Sequence, residues 1–503
     1  MAGLSVAVAA VILSALSFAT SCTSTSATGP SFPIGAQIVP VTFTTLSIAG
    51  LPSSCSGQTF YEASTSLCPP GLTYLLCDGS AYIEFDCADP GSGWTLETLS
   101  QYDRVSSSPT ACAASAGGAS PNGTVYVEGN QAAPGENAVL VFRYCNGTLP
   151  ATLAGRYPTG GSGSADLDDS GVLDADQQVA VNAGGTLLFA VNQGSDSIAA
   201  FHIGGDGLLT PVAGSPFSSG GVAPASVGVS GNILVVANKA VDGLRNLGSV
   251  APNYATFSIQ GDGSLKPTGS TFPLPLRSSP TQAFVAPGCK LVFATEESGV
   301  FRALTLSPTG VLALAPGSPL SLADSLFTDG IRPQPVWPAG LSASPTGSIL
   351  YTGIPNNNSI AALEFSATGQ LTLIGGERDP RALLPCWSIT SADGGRLYFA
   401  NAGSDNISVW DTATDPRHPR VVQTFLLPGG GNPWGVRIDP TGQLLFVITP
   451  RQVYQVPEAQ GQLLHALPIA ADGTLGEEID GSPIPIPVPP DTNPFGLAVV
   501  AGP

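Results

Sequence analysis

Three observations predict an all-β chain whose main body is a seven-bladed β-propeller. The composition is poor in charge, 11% of residues, and rich in turn formers, with Gly 61 and Pro 46; that balance favours many short strands over helices. One apolar phrase recurs seven times, and the two ends of the repeat array are complementary fragments of one unit.

The phrase is TVYVEGN, ending at Asn130, then TLLFAVN at Asn192, NILVVAN at Asn238, KLVFATE at Glu296, SILYTGI at Ile354, GRLYFAN at Asn401 and QLLFVIT at Thr449. The intervals of 62, 46, 58, 58, 47 and 48 residues suit blades of four strands better than shorter solenoid units. Ahead of most phrases stands a Pro-led apolar strand, opening at Pro224, Pro280, Pro338, Pro385 or Pro433, a place where Pro is tolerated because it starts the strand. Behind each comes a third strand, then a turn such as Asn146-Gly147, Asp206-Gly207, Asp262-Gly263 or Asp472-Gly473, whose Gly supplies positive φ, and then a fourth strand.

Units beginning near 176, 224, 280, 338, 385 and 433 hold all four strands, whereas the unit at 122–160 lacks its opening strand. Residues 493–503, NPFGLAVVAGP, read as an opening strand with nothing after it. Joined, they make a seventh blade and bury two edges that would otherwise be unpaired.

The remainder divides into a signal peptide at 1–21, a Ser/Thr-rich tether at 22–30 and a Cys-rich segment at 31–121. The uncharged apolar run from Val6 to Leu16 is too short to span a bilayer and reads as a secretory signal. Ala19-Thr20-Ser21-Cys22 resembles a bacterial lipobox with Cys22 as the lipidated residue; lipid anchoring at the cell surface and plain secretion both stay open. In an exported chain, Cys55, Cys68, Cys77, Cys87 and Cys112 read as disulfide formers, and their odd number points to Cys145 as the sixth partner. The net charge of -19, with three Lys, argues against nucleic acid and anionic membrane as partners.

LLFAVNQGSDSIAAFHIGGDGLLTPVAGSPF and RLYFANAGSDNISVW, within residues 122–503, resemble the lactonase-type seven-bladed β-propellers, the group of 6-phosphogluconolactonases and carboxymuconate-lactonizing enzymes. The resemblance implies a hydrolase or isomerase acting on a small anionic lactone or sugar acid, with no cofactor required. It nominates Glu297, in KLVFATEES, as the carboxylate that activates water or takes a proton. The Arg-His pair of the family's active members is replaced by Thr281-Gln282, so no histidine base stands at the channel mouth.

Loops joining second to third strands, and fourth strands to the next blade, emerge on one face around that mouth. They carry Lys239, Arg245, Arg277, Arg332, Arg378, Arg381 and Arg451. Such a focus in an acidic protein suits a carboxylate or phosphate ligand. Arg277 and Arg332 are candidates beside Glu297 for catalysis, and Arg378, Arg381 and Gln282 for substrate binding; the same arginines equally serve to tie down loops. Trp387 and Trp434, at the starts of first strands, either stack on a ligand ring or wedge neighbouring blades apart. In DLDDSGVLDADQ, Asp166, Asp168, Ser170 and Asp174 occupy positions 1, 3, 5 and 9 of an EF-hand-like loop, which reads as a weak structural Ca2+ site or as plain solvated acid. A non-catalytic extracytoplasmic propeller that binds a ligand or protein partner is the alternative to an enzyme.

Overall fold

The computed structural model describes residues 123–502, apart from 146–148, 150–152, 166–173, 243–244, 246, 248, 287, 289, 323–335, 346–347, 452–460 and 490–491, together with the backbone of four earlier strands. The chain divides into two units, Met1–Ala119 and Ser120–Pro503. In the first, Ile38–Thr42 pairs antiparallel with Thr59–Ala63, and Leu72–Cys77 with Ala81–Asp86.

The second unit is a propeller of seven antiparallel sheets. Blade 1 is built from Phe495–Ala501, Gly123–Glu128, Ala138–Tyr144 and Gly155–Pro158, in that order from the channel outward. Its register, Phe495 opposite Glu128 and Ala501 opposite Gly123, seats the C-terminal strand as the inner strand of the blade that begins at Gly123. Blades 2 to 7 follow in sequence, with inner strands Val179–Val181, Pro224–Ser230, Phe284–Val285, Leu341–Ala343, Pro385–Thr390 and Val436–Ile438.

Burial falls from the second strand outward. Ile233–Asn238 is buried at every position, whereas in Leu265–Pro273, the outer strand of the same blade, only Leu265 is buried and the rest are half-buried or exposed. A second strand is covered on both faces by neighbouring blades, which is why its sequence is a continuous apolar run. Adjacent blades share discrete apolar clusters, for example Phe189, Ile198, Leu234 and Phe257 between blades 2 and 3. The cluster between blades 7 and 1 is larger, running from Phe446 and Tyr144 to Trp387, Trp434 and Phe495 around the channel.

Two recurring hydrogen bonds link one blade to the next. At the outer turns, the Tyr126 hydroxyl donates to the Gly207 carbonyl and Tyr398 to that of Gly473. Both glycines have positive φ, and a Cβ on Gly207 would meet Thr124 Oγ1 at 2.3 Å, so a larger residue is refused by the turn and by the preceding blade together. On the opposite face, the left-handed Asp196 and Asn358 end their turns and accept the backbone N–H of Ala223 and Leu384, the residues that lead into the next inner strand.

Candidate functional site

The mouth face is formed by the loops between second and third strands and those between blades. Glu297 follows the second strand of blade 4, and Lys239 follows that of blade 3. Lys239 Nζ donates to Glu297 Oε1 at 2.7 Å and to the Asp174 carbonyl at 2.6 Å. Ser279 donates its hydroxyl to Glu297 Oε2 at 2.7 Å. Lys239 is fully buried and Glu297 only 6% exposed, so both carboxylate oxygens are engaged within the protein. The proposed base is thus one half of a buried ion pair.

The other nominated residues divide into two groups. Arg277, Arg378 and Arg381 are exposed. Arg378 donates to Asn357, and Arg381 pairs with the buried Asp379 at 3.2 Å while remaining 61% exposed. Burial alone would raise the Asp379 carboxyl, but hydrogen bonds from Thr424, the Arg381 backbone and Ser408 outweigh it and hold Asp379 below its ordinary range. Gln282, Trp387 and Trp434 are buried instead. Gln282 is zipped to the backbone of Leu341 and to Gln177 Oε1 at 2.7 Å. Trp387 and Trp434 meet edge to face at 5.4 Å, and Trp434 meets Phe495 at 5.2 Å, filling the join between blades rather than offering a ring to a ligand. Arg332, Asp166, Asp168, Ser170, Cys22, Cys55, Cys68, Cys87 and Cys112 lie outside the described residues, and of Cys77 only the backbone is described. Asp174 is described, with its carbonyl on Lys239. Cys386 is buried, with its thiol donating to the Leu384 carbonyl at 3.3 Å.

Three groupings lay beyond the sequence reading. Arg437, on the inner strand of blade 7, pairs with Asp176 at the entry to blade 2 at 2.9 Å. The available signal was positional: Val179, Val227 and Val436 pair with equivalent second-strand residues, and three places before them stand Asp176, Pro224 and Pro433. An Asp where other units open with Pro was therefore visible. Thr449, His465 and Glu478 form a hydroxyl–imidazole–carboxylate chain, with Nε2 3.1 Å from the Thr449 hydroxyl and Nδ1 2.7 Å from Glu478. His465 and Thr449 have no exposed surface, which fits a structural latch. Glu128, at the end of the second strand of blade 1, is wholly buried, and burial pushes its carboxyl up to about 8 against the opposing Asn137 and Gln193 amides. Its counterpart in blade 4, Glu296, has the Arg302 guanidinium beside it, whereas in the place of Arg302 blade 1 carries Val141.

No protein-family model matches the sequence, and no curated protein matches it. Solved structures do. The periplasmic gluconolactonase PpgL of Pseudomonas aeruginosa superposes with a TM-score of 0.57 at 16% identity, covering 76% of this chain and 100% of its own. A Bacteroides fragilis protein described as a candidate 6-phosphogluconolactonase gives 0.55 at 16% identity, over 75% of this chain and 98% of its own. A Lactobacillus plantarum protein gives 0.55 at 17% identity, over 75% and 99%. With identity this low the likeness speaks for architecture alone: the chain has the seven-bladed β-propeller fold that these structures share.

Proposed function

We propose that this propeller is an exported binding protein for a small anionic ligand, a sugar acid or a closely related lactone, taken up on its arginine-bearing mouth face. The observation that carries this reading is the contrast between buried and solvent-exposed groups. Glu297 is closed off by Lys239 and Ser279, whereas Arg277, Arg378 and Arg381 remain exposed. Guanidinium groups hold carboxylates and phosphates through paired hydrogen bonds, and in a chain of net charge -19 a local excess of them is selective for such ligands.

The test is calorimetric titration of the full chain with D-gluconate and 6-phosphogluconate, in parallel with a proton-release assay on glucono-δ-lactone. Binding without turnover, weakened at least fivefold in Arg378→Ala with Arg381→Ala, is the expected result. A lactonase reading draws on the likeness to the P. aeruginosa gluconolactonase. Lactone hydrolysis above the uncatalysed rate and lost in Glu297→Gln would establish that reading instead.

A further inference from the structure

The channel of this propeller is crossed by its own chain. Residues 175–177 lead into blade 2, yet the Asp176 N–H donates to the Thr281 carbonyl of blade 4 at 3.1 Å and the Asp176 carboxylate meets Arg437 of blade 7. Blades 4 and 7 face each other across a seven-membered ring, so a segment that touches both lies on the axis. Ala175 is fully buried in the cluster that holds Ala225, Ala339, Trp387, Trp434 and Phe495, contributed by the inner ends of five further blades.

Two cations grip this short segment, Lys239 fully buried and Arg437 partly buried. Lys239 takes the Asp174 carbonyl at 2.6 Å. Arg437 approaches both oxygens of Asp176, Nη2 to Oδ1 at 2.9 Å and Nη1 to Oδ2 at 3.5 Å, the two-pronged arrangement by which a guanidinium holds a free carboxylate. Arg437 keeps 17% of its side chain exposed against 5% for Asp176, so the guanidinium retains a path to solvent. Gln177 bends the segment through a left-handed backbone conformation, φ 61°, which a residue with a Cβ adopts at a cost. The ring itself does not require the pair, because Pro224, Pro280, Pro385 and Pro433 open other blades at the matching place with no charge at all.

We infer that Arg437 is an anion site inside the channel and that Asp176 is its built-in occupant, a carboxylate of the same chain seated where a small carboxylate or phosphate ligand binds. The inference rests on the reading that this face takes small anions, and it adds the residue and the competition. Ligand and Asp176 exclude each other, so the apparent affinity of the resting protein is lowered by the fraction in which Asp176 is in place.

Asp176→Asn keeps the shape and removes the charge. Titrated with D-gluconate and with inorganic phosphate at fixed ionic strength, this variant of the full chain should bind at least tenfold more tightly than wild type, and Asp176→Asn with Arg437→Gln should lose the increase. A folded Asp176→Asn protein with wild-type affinity overturns the inference even if Arg378 and Arg381 bind anions. Tighter binding by the variant when wild type shows none upholds it and sinks the surface reading alone. Hydrogen exchange on unaltered protein tests the same point without a substitution: saturating D-gluconate should speed exchange at residues 174–178, and unchanged or slower exchange there counts against displacement.

Discussion

Glu128→Gln should stabilise the protein at neutral pH, and more so as pH rises. In the folded state the carboxyl is wholly buried at the join of blades 1 and 2, accepts Asn137 Nδ2 at 3.0 Å and titrates near 8; in the unfolded chain it returns to its ordinary value of 4.5. The folded value is raised, so the stability this group contributes is fully present below 4.5 and is lost as pH rises through 8. At pH 7 the protonated form must be maintained against about 2.5 pH units, which is about 3 kcal/mol at 1.36 kcal/mol per unit. Glutamine keeps an acceptor for Asn137 and carries no titratable proton. For a propeller of roughly 380 residues, 3 kcal/mol corresponds to a rise in Tm of about 4 °C. The assay is thermal unfolding of both proteins from pH 5 to pH 9. Near pH 5 the two should melt within about 1 °C of each other, and the gap should widen steadily to pH 8. Parallel pH profiles, or a variant less stable at pH 8, would show that Glu128 is ionised in the fold and refute the argument.

Lys239→Met strands the buried Glu297 carboxylate and should cost about 3 to 5 kcal/mol, of which Lys239→Met with Glu297→Gln recovers the larger part; a coupling below about 0.5 kcal/mol by denaturant titration would deny the pair its structural role. His465→Phe removes the partner of both Thr449 and Glu478 and should cost about 2 to 4 kcal/mol by the same measurement, the loss growing with the unpaired carboxylate it leaves; an unchanged midpoint would count against the latch. A chain ending at Thr492 loses the inner strand of blade 1 with the buried Phe495 and Leu497, each contributing about 1.5 to 3 kcal/mol, and should be insoluble or degraded on expression; a truncated protein that melts like the full chain would contradict the closure seen in the strand register.

The fold was legible because repetition averages out local ambiguity. Any one phrase, such as LVFATE or ILVVAN, is a short apolar run that helix and strand share, but seven of them, each followed by a third strand and most by an Asx-Gly turn, leave one architecture. The closing strand was legible for a related reason: Pro494 and the apolar residues after it match inner strands elsewhere, and their pairing with Gly123–Glu128 is the register that completes blade 1. Side-chain roles within the repeats were less legible. Trp387 and Trp434 stand at the channel in sequence register, but whether an inner-strand ring turns to the axis or into the seam between blades depends on a local bulge, and in blade 6 the register shifts between Pro385 and Trp387. Both rings ended in the seam.

The mouth-face cations show where sequence reasoning stops. Counting Lys239 with the loop arginines treats every cation as available, yet availability is set by partners far away in the chain: Glu297 lies 58 residues from Lys239, and Asp176 lies 261 from Arg437. Ring closure brings such residues together, and no window of sequence contains them. Each cation near the axis meets a carboxylate from a distant part of the chain and a backbone carbonyl as well, so it is paired unless a loop carries it outward. That sorts the cations by position: Lys239 and Arg437 near the channel are engaged by the chain's own oxygens, while Arg277, Arg378 and Arg381 on the loops stay exposed. The same rule gives Asp176 its significance, because an internal carboxylate on a channel guanidinium sets the strength that any incoming anion must exceed.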